Sequence, residues 1–159
     1  MRTRPDYFYT QSAVIPFRGD SRERLEVLMI TSRKRRRWIV PKGIVERDLS
    51  GLESAVNEAL EEAGVEGEGF TRVIGSYEYS KWGDVCSVTV YALRVVKEHA
   101  DWPEATFRER RWFALEEAAT AIGEAGLRDI IRHLPALVSG HSSEAMSPPD
   151  SSSTARSKS

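Results

Sequence analysis

Glu58 lies three residues before Glu61 and four before Glu62, the spacing that makes side chains neighbours on one face of a helix. Like charges placed this way repel, and no lysine or arginine lies between Arg47 and Arg72 to relieve them. One reading is a solvated acidic face. The other is a site for a hard divalent cation, because clustered carboxylates supply the oxygen ligands that Mg²⁺ requires. Opposite charge is concentrated elsewhere. Arg33-Lys34-Arg35-Arg36-Arg37 runs directly into Trp38 and the Pro41-Lys42-Gly43 turn, and Arg108, Arg110 and Arg111 form a second group. Alone, each run reads as a solvated surface. Beside a loop that handles anions, fixed guanidinium groups and a lysine would concentrate polyanions and grip phosphates in bidentate fashion. Lys42 and Arg37 are the leading candidates for that contact, and Arg33 joins them.

The three glutamates need a helix to hold them, and residues 50–64 read as one. Ser50 and Glu53 fit a capping box, and Gly64 fits the position that follows a helix end. At 100° per residue, Leu52, Val56, Ala59, Leu60 and Ala63 share an arc of roughly 100°, with Glu58, Glu61 and Glu62 on the opposite side. The flanking segments read as strands: 11–18 and 25–31 joined at Arg18-Gly-Asp-Ser-Arg22, then 38–41, 70–80, 85–96 and 111–113. Two amphipathic helices follow, over 115–122 and 127–137.

The chain has 159 residues, 40% hydrophobic and 30% charged, which suits one globular domain with a real core. Its formal net charge of −1 excludes a uniformly basic nucleic-acid binder. Cys86 is the single cysteine, so neither an internal disulfide nor a cysteine zinc site is possible. No apolar run approaches the length of a membrane span, and Met1-Arg-Thr-Arg-Pro-Asp6 lacks the apolar region of a signal peptide. The expectation is a soluble cytoplasmic protein without specific nucleic-acid or membrane partners. Residues 139–159 hold nine serines and the pair Pro148-Pro149, a composition expected to form a flexible tail after a domain spanning 1–138. Oligomeric state is not legible.

The 23 residues from Gly43 to Val65 resemble the Nudix box, G-x5-E-x7-R-E-U-x-E-E-x-G-U, where U is a bulky aliphatic. Gly43, Glu58, Glu61, Glu62, Gly64 and Val65 agree with it in type and spacing. Two positions depart: Leu49 stands where the box has its first glutamate, and Asn57 where it has arginine. The resemblance implies an α+β fold, an α/β/α sandwich in which a mixed β-sheet is flanked by the box helix and a C-terminal helix. It implies a pyrophosphohydrolase using Mg²⁺, with Mn²⁺ as a substitute. Glu58 and Glu62 would be the principal metal ligands, Glu61 a supporting one, and the Gly43 carbonyl a further donor. Glu78 is the candidate outside the box for an extra ligand, a base or a substrate contact. Within the family, Ser32-Arg33, Arg37-Trp-Ile-Val-Pro41, Trp102 and Arg110-Arg-Trp-Phe113 are most similar to the diphosphoinositol polyphosphate and diadenosine polyphosphate hydrolases. The implied substrate is therefore a small, densely phosphorylated molecule.

Leu49 and Asn57 motivate a rival reading, a Nudix-fold binding or regulatory module with impaired turnover. A pyrophosphatase for nucleoside triphosphates or ADP-ribose is a further alternative; the ADP-ribose branch usually has a proline shortly after the box, and there is none between Pro41 and Pro103. Tyr77, Tyr79, Trp82 and Trp102 could stack on a base, though such strand aromatics more often pack in the core or at its rim.

Overall fold

The structure is a computed structural model that describes residues 10–34, 36–81, 83–139 and 145–146. Strand β1 (Thr10–Arg18) is buried along its whole length except at its two ends. One edge pairs in parallel with the long strand β7 (Asp84–Glu98). The other pairs antiparallel with β4 (Lys42–Ile44) through residues 11–13, and with β2 (Glu26–Thr31) at residues 17–18. Strands β3 (Trp38–Ile39) and β8 (Arg110–Ala114) extend from β2. Strands β5 (Val65–Phe70) and β6 (Gly75–Lys81) share the outer edge of β7, and β9 (Ala145–Met146) pairs with β5.

Period-two alternation divides the sheet's side chains into two cores. Ala13, Ile15, Phe17, Val27, Met29, Val88 and Val90 pack with Leu115, Ala118, Leu127 and Ile131 of the C-terminal helices. Val14, Leu28, Ile30 and Leu93 pack with Leu52, Ala55, Ala59 and Ala63 of the box segment. This is the α/β/α sandwich with a mixed sheet that the resemblance implied. Among the described residues, no helix is long and apolar enough to cross a membrane.

Three local expectations are corrected. The strand expected over 70–80 is two strands broken at 71–74. Gly67 and Gly69 weaken the strand pattern of β5, yet both are required: a Cβ on Gly67 would overlap Arg94 O, and one on Gly69 would press on Leu52. The helix expected over 127–137 is α3 (Ala125–Arg132) and α4 (Leu134–Val138), preceded by α2 (Leu115–Ala121). Pro135 has no N–H to donate back to Ile131, and its ring clashes with that carbonyl, so the helix must restart. Last, the box helix α1 (Gly51–Glu58) continues as a π-helical turn over Ala59–Ala63. Within this turn Leu60 is 38% exposed, whereas the wheel had placed it in the core. Ser139 and Ala145–Met146 are described; the remainder of the segment read as a tail, and Arg35 and Trp82, lie outside the described residues.

Candidate functional site

Both sequence signals at the ends of the box helix are realised. Glu53 N–H donates to Ser50 Oγ (3.0 Å), Ser50 N–H donates to the Glu53 carboxylate (2.8 Å), and Gly64 takes the left-handed conformation at φ 69°. In the same π turn Glu62 is only 9% exposed, while Glu61 is exposed and Glu58 is half-buried. Three carboxylates side by side on a solvated face are therefore not what forms. Glu58 and Glu62 make a hydrogen-bonded pair, and Glu61 stands outside it.

Burial pushes the Glu62 carboxyl up to about 9, and the hydrogen bond to Glu58 and its charge add to the rise. Arg108 pulls the other way. Glu58 is also raised, first by burial, then by Glu61, Glu104 and Glu46, against the hydrogen bond from Glu62. Two carboxylates that close cannot both ionise cheaply, so the pair retains a proton. Gly43 packs against Glu58 so closely that any Cβ there would overlap the carboxylate. Directly across the β1–β4 register from Gly43 is Ser12, whose Oγ is buried with no hydrogen-bond partner among the described residues.

Glu62 and Gly43 open onto a cleft of about 300 Å³, also lined by Gln11, Arg33, Ile39, Val40, Lys42, Tyr79 and Arg108. Arg33 lies over the Phe107 ring (4.6 Å) and Lys42 over the Tyr79 ring (4.5 Å). Burial raises the Tyr79 hydroxyl to about 12. It is therefore a neutral donor, and it bonds Gln11 Oε1 at 2.8 Å. Arg108 is almost wholly buried and donates to the Glu104 carboxylate (2.6 Å) and to Thr31 O (2.8 Å).

Of the residues singled out in the sequence, Gly43, Glu62, Lys42 and Arg33 line this cleft, and Glu58 backs its wall. Arg37 and Glu78 are not part of the lining. Arg37 is exposed, with its guanidinium at Gly123 O (3.5 Å). Glu78 is exposed on β6 and points to the opposite sheet face from Tyr77 and Tyr79. Loops bring Glu46 and Glu104 toward the pair, and Glu104 has no motif around it. Gln11 was equally invisible, because it joins the site only through pairing of β1 with β4 and β7.

These positions coincide with a family. A model described as the NUDIX domain matches residues 9–134. The chain belongs to the Nudix family. It is 43% identical over 103 residues to Nudix hydrolase 12, mitochondrial, of Arabidopsis thaliana, an alignment covering 60% of this chain and 51% of that one. The chain thus spans about half the length of that relative. It is 35% identical over 117 residues to diphosphoinositol polyphosphate phosphohydrolase 3-beta of Bos taurus, covering 72% and 69% of the two chains. An Ap4A hydrolase from C. elegans, solved as a binary complex, shares the fold with TM-score 0.64 at 19% identity, over 83% of this chain and 98% of that one.

The Nudix box here departs from its pattern at Leu49 and Asn57, and the structure shows what holds the loop instead. Asn57 is exposed and Leu49 half-buried. The loop is tied to α1 by Ser54, whose buried Oγ accepts from Glu46 N–H at 2.9 Å. Among the described residues, no group of three His, Cys, Asp or Glu side chains stands ready around one metal position. What is present is an all-oxygen pair, Glu58 and Glu62, that retains a proton a cation could replace. That fits Mg²⁺, which commonly takes one or two protein carboxylates and completes its shell with water and phosphate.

Proposed function

We propose that this Nudix domain hydrolyses a pyrophosphate bond in a small polyphosphorylated substrate of the diphosphoinositol polyphosphate or dinucleoside polyphosphate type. The observation that carries the reading is that one cleft of about 300 Å³ is lined by Glu62 and Gly43 together with Arg33, Lys42 and Arg108. Cations in the lining suit a densely charged anion, and Glu62 with Glu58 behind it suits Mg²⁺ or Mn²⁺. Glu58 and Glu62 would hold the ion, with Glu61 and the Gly43 carbonyl in support. When bound, the ion would offset phosphate charge and acidify an attacking water.

The remaining work falls to the chain. Arg33, Lys42 and Arg108 orient the phosphates and stabilise charge that grows on the leaving group. A box glutamate, or Glu104 from the neighbouring loop, accepts the proton of the attacking water. Arg37 and Glu78 lie outside the cleft lining, and this reading gives neither a direct contact with the substrate. Residues 1–138 constitute the catalytic domain in this reading, and the protein is cytoplasmic.

The test is a phosphate-release screen over dinucleoside polyphosphates, inositol pyrophosphates, nucleoside triphosphates and nucleotide sugars, with and without Mg²⁺. Metal-dependent release from the most highly phosphorylated compounds is expected. Leu49 and Asn57 favour one rival, a binding module. It prevails if these compounds bind but none is hydrolysed.

A further inference from the structure

A helix C-terminus carries partial negative charge, which makes it the least favourable end for carboxylates. Glu61 and Glu62 sit at that end of the box segment, and no basic residue lies in its last turn. The terminal carbonyls there lack helical partners and need outside donors. All four from Glu61 to Gly64 obtain one from residues 99–110. Glu61 O accepts from Glu104 N–H (3.3 Å) and Gly64 O from His99 N–H (2.8 Å). Glu62 O accepts from the Trp102 indole N–H (2.9 Å), and Ala63 O from Arg110 Nη1 (2.8 Å).

Arg110 and Trp102 are also locked to each other. The guanidinium lies over the indole, 4.0 Å from its centroid, and Nη2 donates to His99 O. Only 15% of the Arg110 side chain is exposed. Gly64 has no room for a side chain, since a Cβ would meet Arg110 Nη1 and the Trp102 side chain. The guanidinium is thus held at the helix end, with Nε also 3.5 Å from the Glu98 carboxylate, and it is absent from the lining of the cleft, where Arg108 is present.

We propose that Trp102 and Arg110 are positioning residues of the site: they clamp the π-helical turn and thereby aim Glu62 into the cleft, and Arg110 offsets the negative helix end beneath two adjacent carboxylates. This rests on the reading that Glu58 and Glu62 hold the divalent ion. Trp102→Phe removes the N–H to Glu62 O and narrows the bicycle to a single ring, which stays beneath Arg110. Arg110→Lys keeps the charge and loses the fork that reaches Ala63 O and His99 O together.

The experiment measures Mn²⁺ affinity of the full chain without substrate, by paramagnetic resonance, for wild type, Trp102→Phe and Arg110→Lys. Amide exchange of residues 61–64, kcat, KM and thermal unfolding accompany it. Each variant should bind Mn²⁺ about threefold to tenfold more weakly, the effect of one hydrogen bond. Exchange at 61–64 should quicken, and kcat should fall with KM nearly unchanged. Mn²⁺ affinity equal to wild type in both variants, with only the unfolding temperature lowered, would overturn the proposal and leave a plain helix cap. A raised KM with unaltered Mn²⁺ affinity in Arg110→Lys would also overturn it, by making Arg110 a substrate contact. If the wild type binds no Mn²⁺, the metal reading fails and this inference fails with it.

Discussion

Replacing Glu62 with glutamine should stabilise the metal-free protein and abolish what the metal adds. Glu62 retains a proton because burial and the Glu58 carboxylate push it from 4.5 up to about 9. A carboxyl whose folded value is raised contributes stability at low pH. That contribution is lost as pH climbs from about 4.5 to about 9, where the unfolded chain has given up its proton and the folded one has not. At pH 7 the retained proton costs about 1.4 kcal/mol for each pH unit above the ordinary value, so up to about 3 kcal/mol. Glutamine keeps the shape and one donor toward Glu58 without that cost. In EDTA at pH 5 the two proteins should unfold within a degree or two of each other. At pH 7 the variant should unfold higher by up to roughly 6–12 °C, taking 2–4 °C per kcal/mol for a domain of this size. Adding Mn²⁺ should then raise the wild-type midpoint and leave the variant unmoved, since only the wild type gains binding energy. Thermal unfolding from pH 5 to pH 9, with EDTA and with Mn²⁺, reads both effects. Parallel pH profiles for the two proteins would refute the shared-proton pair, and equal stabilisation by Mn²⁺ would refute Glu62 as a ligand.

Tyr79→Leu should raise KM for highly phosphorylated substrates roughly twofold to fivefold with little change in kcat, because the Lys42 ammonium loses the ring that supports it. Tyr79→Phe, which keeps the ring, should stay near wild type in steady-state kinetics. Ser54→Ala should lower stability by about 1 kcal/mol by removing the acceptor for Glu46 N–H; denaturant unfolding and faster amide exchange at Glu46 check it. Restoring the box pair as Leu49→Glu with Asn57→Arg should raise kcat more than either single change, with a coupling of about 0.5–3 kcal/mol if the side chains meet. A double-mutant cycle on kcat/KM measures that coupling, and strict additivity would show that the pair is not formed in this loop.

Much of the site was legible because it is local. The capping box at Ser50 and Glu53, the glycine stop at Gly64 and the spacing of Glu58, Glu61 and Glu62 all lie within fifteen residues, where backbone geometry alone dictates neighbours. The β-rich runs of β1 and β2 were equally plain, because each strand carries apolar residues on both faces, one for each core. The resemblance rested on these same short-range features. The π turn lay beyond a regular wheel. In it Leu60 is exposed and Glu62 is buried toward the cleft, while Ala59 and Ala63 keep the turn packed on the sheet.

Which basic residues meet the cleft was decided elsewhere. Arg33 and Arg37 are four residues apart, yet the turn between them, with Arg36 at φ 55°, leaves one in the cleft and the other at Gly123. Arg108 and Arg110 differ by two, yet one lines the cleft and the other closes the box helix. Tyr79 reaches Gln11 because β6 pairs with β7, and β7 runs parallel to β1. Hydrogen-bond register across distant strands has no imprint in residue spacing, since any two strands of suitable pattern could pair until burial of both sheet faces selects one arrangement. Composition and spacing determined that carboxylates would cluster on a capped helix; the sheet's long-range pairing decided which cations, which tyrosine and which loop glutamate they would face.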